Sequence, residues 1–403
     1  PQPKTPLLGW SAFLPGAGMR FPAVDGTRYR AHTTSGRAAL WAALRQMDLP
    51  PGSGVLVPTY HCPTMVAPIV LAGHRPVYYA IGEDGLPLLE SIAEPAASGA
   101  RAMFVAHYFG LPASLHAVRA WCDAHGVVLV EDCAHSFFGM AGDRPVGQWG
   151  DYATASLSKF FPVMEGGLLA SQRHPLRALR LANAGLRYQV KSLLDPIELG
   201  AQFGRLPGLQ HLLALALRMK PQGRPSLPEG RPVNAAASDA DSTASSDADS
   251  DPSSDDDRDT MRQSDMRRVG QASGWATLAL YHLLPRQGIV RKRRENYHRL
   301  ARGLQSLPGA RLLHPQLRPD AVPYVCPLWV EGAARADAVY ARMRDDGLAV
   351  YRWDRLWPGV PRDTRDFGIR WSHEVIQLIC HQDLRAGQID HTVAAAKRLL
   401  ACT

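Results

Sequence analysis

Over residues 31–170, short β-rich runs alternate with helix-like segments, and this alternation narrows the fold more than any other feature of the 403-residue chain. The runs are "GVLVP" (54–58), "RPVYYA" (75–80), "RAMFVAHY" (101–108) and "GVVLVEDC" (126–133). Segments 36–47, 63–73, 86–97 and 113–125 read as the helices between them. Strands that each lead into a helix make βα units, and hence a mainly parallel sheet with helices on both faces. Ligands of such sheets gather at the carboxyl ends of the strands, and "EDC" (131–133) sits at one such end.

The rest of the chain divides around this block. Residues 1–30 form an N-terminal arm, and 31–221 the large α/β domain. Residues 222–262 are rich in Ser, Asp, Ala and Pro and poor in large apolar residues. Such a stretch buries too little surface to offset its chain entropy, so it reads as a disordered acidic insertion. Residues 263–310 read as linking helices, through "WATLALYHLL" and the basic "IVRKRRENYHRLARGLQSL". From about 311 a small C-terminal α/β domain follows, with "YVCPLWVEG", a helix over 335–346, "LAVYRW", "VIQLICH" and a last helix from about 385.

Charge is uneven. The chain carries a formal +8, yet 239–259 alone hold nine Asp and one Arg, which leaves the remainder at +16. A basic body suits an anionic ligand, but no nucleic-acid recognition motif accompanies it. No apolar run approaches the ~20 residues of a membrane span. The six cysteines are scattered without a CxxC pair, which points to reduced thiols, a cytoplasmic location and no metal site.

Four local features carry the chemistry. In "TTSGRAALWAAL" (33–44), Ser35 and Gly36 open a helix whose free N–H groups and dipole suit a phosphate. In "VLVEDCAHSFFG" (128–139), a hydrophobic strand delivers Asp132 into the expected crevice, where it needs a cationic partner. In "ASLSKFFPVMEGG" (155–167), Lys159 lies in apolar surroundings that make an amine nucleophilic. Ser156 and Ser158 beside it suit a phosphate, and Gly166 and Gly167 permit close approach of backbone or cofactor. The fourth, "YHCP" (60–63), offers rings that could stack on a flat cofactor. A phosphate cradle, an acid for a ring nitrogen and a desolvated lysine together fit pyridoxal 5'-phosphate, with Lys159 as its covalent attachment.

The stretches "SGRAALWAAL", "VLVPTYHCPTMVAPIVLAGHRPVYY", "VAHYFGLPASLHAVRAWCDAHGVVLVEDCAHSFFG" and "GDYATASLSKFFPVMEGGLL" resemble the DegT-type aminotransferases. These are fold-type I pyridoxal phosphate enzymes, many of which aminate keto sugars attached to nucleotides. The likeness is dense over 31–170 and weaker in "RKRRENYHRL" and the C-terminal domain. It implies a large domain with a mainly parallel seven-stranded sheet between helices, and a small C-terminal domain. It implies Lys159 and Asp132 as catalytic residues, Asp132 being the partner of the pyridine nitrogen. It places His135 near the cofactor's phenolic oxygen, and Gly36, Arg37 and Ser156 at the phosphate. An amino-acid donor (glutamate by this likeness), an anionic keto substrate and a homodimer are implied as well.

The chain departs from the family pattern in four ways. Arg37 replaces a Thr, so only its backbone N–H carries over. The stacking aromatic falls on Cys62, leaving Tyr60 or His61 as substitutes. The Ser156-to-Lys159 spacing is short. The acidic insertion replaces a segment that lends an asparagine to the partner subunit. Two other readings compete with an aminotransferase: a pyridoxamine-dependent dehydratase, against which Lys159 argues, and a regulatory protein that keeps the fold without turnover.

Overall fold

The computed structural model describes residues 2–92, 99–176, 179–209, 252–363 and 366–402. The large domain is built on a seven-stranded sheet of order β1-β9-β8-β5-β4-β2-β3. Its strands are β1 (Tyr29–Thr33), β2 (Gly54–Pro58), β3 (Arg75–Tyr79), β4 (Ala100–Ala106), β5 (Val128–Asp132), β8 (Tyr152–Ser156) and β9 (Gly167–Ser171). A small hairpin, β6 (Met140–Ala141) and β7 (Arg144–Pro145), lies outside it. Strand β9 runs antiparallel to both β1 and β8, while the other pairings are parallel. All five residues of β2 are buried, as expected for a strand covered on both faces.

Helix α1 (Gly36–Gln46) follows β1, capped by the Ser35 hydroxyl, which accepts from the Ala38 N–H. It turns Ala38, Ala39, Leu40, Ala42, Ala43 and Leu44 inward, and the small residues let it lie close to the sheet. Helix α2 (Pro63–Leu71) opens on a proline, which costs nothing where the N–H has no intrahelical partner. Helix α3 (His116–His125) ends on Gly126 at φ +63°, the usual left-handed stop. The helix expected over 86–97 does not form in its described part. There the chain makes a tight return, with Gly82 N–H donating to Leu86 and Leu88 N–H to Ala80. Only a single 3-10 turn, Leu89–Ser91, follows. Gly85 at φ +78° and Pro87 favour that turn over a helix, and residues 93–98 lie outside the described residues.

Helices α4 (Leu186–Gln202), α5 (Pro252–Gln263), α6 (Trp275–Leu283) and α7 (Arg286–Gly303) come next. Helix α5 occupies the end of the stretch expected to be a disordered insertion; residues 222–251 of that stretch lie outside the described residues. A proline at the first helical position suits such a start. Helix α7 bridges two cores, giving Ile289 and Val290 to one and Tyr297, Leu300 and Ala301 to the other.

The C-terminal part holds an antiparallel sheet of order β10-β11-β13-β12, from Ala310–Leu312, Val325–Val330, Val375–Ile379 and Val350–Tyr351. Helices α8 (Ala333–Asp345), α9 (Phe367–Glu374) and α10 (Ala386–Ala401) accompany it. The arm at the N-terminus lies along this sheet. The Pro3 carbonyl meets His381 Nε2 at 2.9 Å, and the Leu7 N–H donates to Asp383 at 3.0 Å. In return, the C-terminal part fills the large domain: Trp357 packs with residues of α1, α2 and β2, and Trp371 with Tyr60, Tyr108 and Phe109. No described helix is long and apolar enough to cross a membrane.

Candidate active site

The carboxyl ends of β5 and β8 and the turn after β1 meet at one cavity of about 640 Å³. Asp132 ends β5, Ser156 ends β8, and Gly36 begins α1 beside them. A Cβ added to Gly36 would lie 3.4 Å from the Ser156 Cβ, so the helix start and the strand end are in contact. Gly36, Arg37, Asp132, His135, Ser156 and Lys159 all line this cavity. The six residues expected to be catalytic or to bind the cofactor are therefore brought to one place.

Lys159 sits in a 3-10 turn, Leu157–Lys159, immediately after β8. The turn is tied down from below: the Leu157 N–H donates to Gly166, and the Gly166 N–H to Thr34. A Cβ on Gly167 would fall 2.1 Å from the Ser35 carbonyl oxygen. The "GG" pair thus lets the lysine loop press against the start of α1, a packing role. Burial pulls the Lys159 ammonium below its ordinary value, and Asp132 opposes that pull. Burial pushes the Asp132 carboxyl up, while Lys159 and the Ala134 N–H, at 2.9 Å, hold it down.

Two rings from the C-terminal part cover the lysine. Its Nζ lies 5.4 Å from the Tyr324 ring centre and 5.9 Å from that of Trp353. His135 stacks on Tyr324 at 4.4 Å and meets Trp353 at 4.6 Å. Burial, with Lys159 nearby, holds the His135 ring well below its ordinary value, so it is neutral. Its Nδ1 is buried without a hydrogen-bond partner, and such an orphan calls for a ligand group. The Ser156 hydroxyl touches that of Ser158 at 3.4 Å. The N–H groups of Gly36 and Arg37 have no acceptor within their own helix. Arg37 also brings its guanidinium to 3.8 Å from Asp265.

The proposed substitutes for the stacking aromatic are not at the cavity. Tyr60 is fully buried among Tyr108, Phe109, Trp353 and Trp371, and its hydroxyl accepts from Gln377 at 3.1 Å. His61 takes the Trp357 N–H at 3.1 Å and meets the Pro58 carbonyl at 2.8 Å. Proline at 63 turns the chain there, so Cys62, not either ring, faces the cavity.

The sequence reading passed over Glu131, Tyr324 and Trp353. Glu131 supports the Asp132 strand end. One of its oxygens accepts from the Trp149 and Gly150 N–H groups, both at 2.6 Å. The other accepts from the Gly147 N–H at 3.0 Å and meets His107 Nε2 at 2.8 Å. His107, Glu131 and Cys133 come within metal-ligand reach of one another, yet these four contacts already occupy the carboxylate. The only sequence signal for Trp353 was the aromatic "YRW" at the end of a strand.

Comparison with known proteins places these observations. The DegT/DnrJ/EryC1/StrS aminotransferase family model matches residues 19–202. Over 164 residues the chain is 29% identical to the GDP-perosamine synthase of Vibrio cholerae, covering 40% of this chain and 45% of that protein. It is 31% identical over 157 residues to the dTDP-4-dehydro-2,3,6-trideoxy-D-glucose 4-aminotransferase of Saccharopolyspora spinosa, covering 38% and 41%. The matched segment thus spans less than half the length of these curated relatives. Among solved structures, Helicobacter pylori PseC, an aminotransferase of pseudoaminic acid biosynthesis, superposes with TM-score 0.62 at 13% identity, covering 94% of this chain and 88% of its own. The putative sugar aminotransferase Spr1654 of Streptococcus pneumoniae, in its PMP form, gives 0.59 at 15% identity, covering 100% and 98%. The fold is theirs, and residues 19–202 are similar to the DegT/DnrJ/EryC1/StrS aminotransferase family.

Proposed function

We propose that the protein is a pyridoxal phosphate-dependent aminotransferase, moving an amino group from an amino acid to a keto sugar carried on a nucleotide. The observation that carries this reading is the meeting of Lys159, Asp132, the orphaned His135 Nδ1 and the start of α1 in one cavity. The donor set fits the cofactor. Asp132 would hold the pyridine nitrogen and His135 the phenolic oxygen. The N–H groups of Gly36 and Arg37 and the Ser156 hydroxyl would hold the phosphate. When bound, pyridoxal phosphate supplies an electron sink for charge developing at the substrate's α-carbon.

The protein's own groups do the rest. Burial lowers Lys159 from its ordinary value, against the pull of Asp132, which favours the neutral amine that would attach the cofactor. The same amine would be placed to take a proton from the substrate α-carbon, as general base and then acid. Tyr324 and Trp353 lie over one side of that amine. Both curated relatives are named for nucleotide-linked sugars, which supports the substrate class; glutamate as donor rests on the family likeness.

A homodimer belongs to the same proposal. Leu186, Val190 and Leu194 form an exposed stripe on α4, at 79%, 46% and 44% exposure. Trp275 and Leu283, on the adjacent α6, are exposed at 55% and 68%. An exposed apolar surface of this kind supports that reading. The six cysteines are free, consistent with a reducing cytoplasm. The test is to incubate the purified protein with pyridoxamine phosphate and a panel of nucleotide-linked keto sugars and to detect amination by mass. No amination of any member, with an intact pyridoxal phosphate adduct, would favour the regulatory reading.

A further inference from the structure

Arg293, on α7, has 0% exposure. Its hydrogen bonds all go to uncharged oxygens. Nε donates to Gln382 Oε1 at 2.9 Å, and Nη1 to the Pro323 and Tyr324 carbonyls at 3.2 and 3.4 Å. Nη2 donates to the Lys159 carbonyl at 2.6 Å. The guanidinium also lies 4.5 Å over the Phe160 ring. Gln382, on the loop after β13, completes the arrangement by donating to the Phe160 carbonyl at 3.0 Å. Two consecutive carbonyls of the lysine turn are therefore held from the C-terminal part of the chain.

A cation here is expensive. Burial pulls the guanidinium down to about 10, still charged at neutral pH, with carbonyl dipoles in place of a carboxylate. An apolar side chain of similar volume would hold α7 against its neighbours at least as well. Packing alone does not account for the residue; the groups it grips do. Those groups are the backbone of Lys159 and the backbone of Tyr324, whose ring lies over the Lys159 amine.

We propose that Arg293, with Gln382, is the positioning device of the lysine: it fixes the Lys159 turn and the covering Tyr324 relative to each other, so that the amine keeps one pose, shielded on one side by the ring. This rests on the reading of Lys159 as the reactive amine. Loss of the clamp lets the turn and the ring part, more water reaches the amine, and the amine moves back toward the range of an exposed lysine.

The test uses Arg293→Met, Arg293→Lys and Gln382→Leu. The readout is the pH dependence of Lys159 labelling by a small amine-directed reagent in cofactor-free protein, followed by peptide mass and normalised to the high-pH plateau. Thermal melts report the fold. Arg293→Met should raise the labelling midpoint by about half a unit, a roughly threefold loss of normalised labelling below the midpoint. Gln382→Leu should shift it the same way by less, and Arg293→Lys, which keeps the charge but not the planar fork of donors, should fall between wild type and Met. Folded Arg293→Met and Gln382→Leu with the wild-type profile would overturn the proposal; if Arg293→Met does not fold, Gln382→Leu decides alone. A separate arm tests the underlying reading, by borohydride reduction of wild type loaded with pyridoxal phosphate. An adduct away from Lys159 ends that reading. An adduct on Lys159 with unshifted variants ends only the clamp.

Discussion

Replacing Glu131 by Gln changes the shape of one side chain hardly at all, yet it should unsettle the strand end that carries Asp132. Glu131 is fully buried, at 0% exposure. One oxygen takes two N–H groups at 2.6 Å, and the other takes the Gly147 N–H at 3.0 Å and meets His107 at 2.8 Å. Bonds to a charged acceptor are worth roughly 1.5–3 kcal/mol, against about 1 kcal/mol for neutral ones. A glutamine that keeps its oxygen on Trp149 and Gly150 loses about 1 kcal/mol at each. Its amide then faces the Gly147 N–H, donor against donor, and that buried N–H loses its partner at a further cost of about 2 kcal/mol. The sum, about 4 kcal/mol, is a large share of the ~5–15 kcal/mol that holds a typical domain folded. Guanidinium unfolding followed by tryptophan fluorescence reads the loss. Thermal scans with and without pyridoxal phosphate show whether the Asp132 end is still ordered enough to bind. A Glu131→Gln protein within about 0.5 kcal/mol of wild type, a neutral outcome for a mutation, would refute the assignment of Glu131 as the anchor of β5.

Other outcomes follow from the same geometry. Lys159→Ala should fold, yet give no borohydride adduct with pyridoxal phosphate, whereas Asp132→Asn should bind the cofactor and lose most turnover; near-normal amination by the latter contradicts its role. His61 is buried and held down to about 4 from its ordinary 6.5. Below pH 6.5 the unfolded chain takes up a proton there that the folded chain refuses, so stability falls with pH. The loss at pH 5 is about 2 kcal/mol from this residue, and His61→Gln should flatten the pH dependence of unfolding by that amount. A variant with the wild-type slope would show that His61 is not buried neutral. Val190→Asp combined with Leu194→Asp should turn a dimer into a monomer by light scattering, and an unchanged mass would remove the α4 stripe from the interface.

The site residues legible in the sequence share one property. Gly36, Asp132, His135, Ser156 and Lys159 each lie within a few residues of a strand end or helix start that the hydrophobic pattern already marks. Position in the sheet follows from position in the pattern, because βα units put those ends on one side. Tyr324, Trp353, Arg293 and Gln382 were not legible, since they reach Lys159 from more than 130 positions away. Glu131 read as one more residue of a strand; only the 147–150 turn closing on it reveals its work. The helix absent from 86–92 shows the converse failure, where the apolar spacing of "LPLLESI" was outweighed by Gly85 and Pro87.

The seating of two C-terminal tryptophans against the large domain bears on how the protein is made. Trp357 packs into a core of the large domain, and Trp371 into one that the large domain shares with the C-terminal part. A ribosome that has delivered every strand of the seven-stranded sheet has therefore not yet delivered two of the side chains that fill the space beside it. The nascent large domain must wait, with apolar gaps open, while more than 150 further residues are synthesised. At ~5–20 residues per second that wait lasts at least several seconds. During it the chain is exposed to chaperones and to its own copies, and a stop codon placed before Trp357 should leave an aggregating fragment rather than a smaller folded protein.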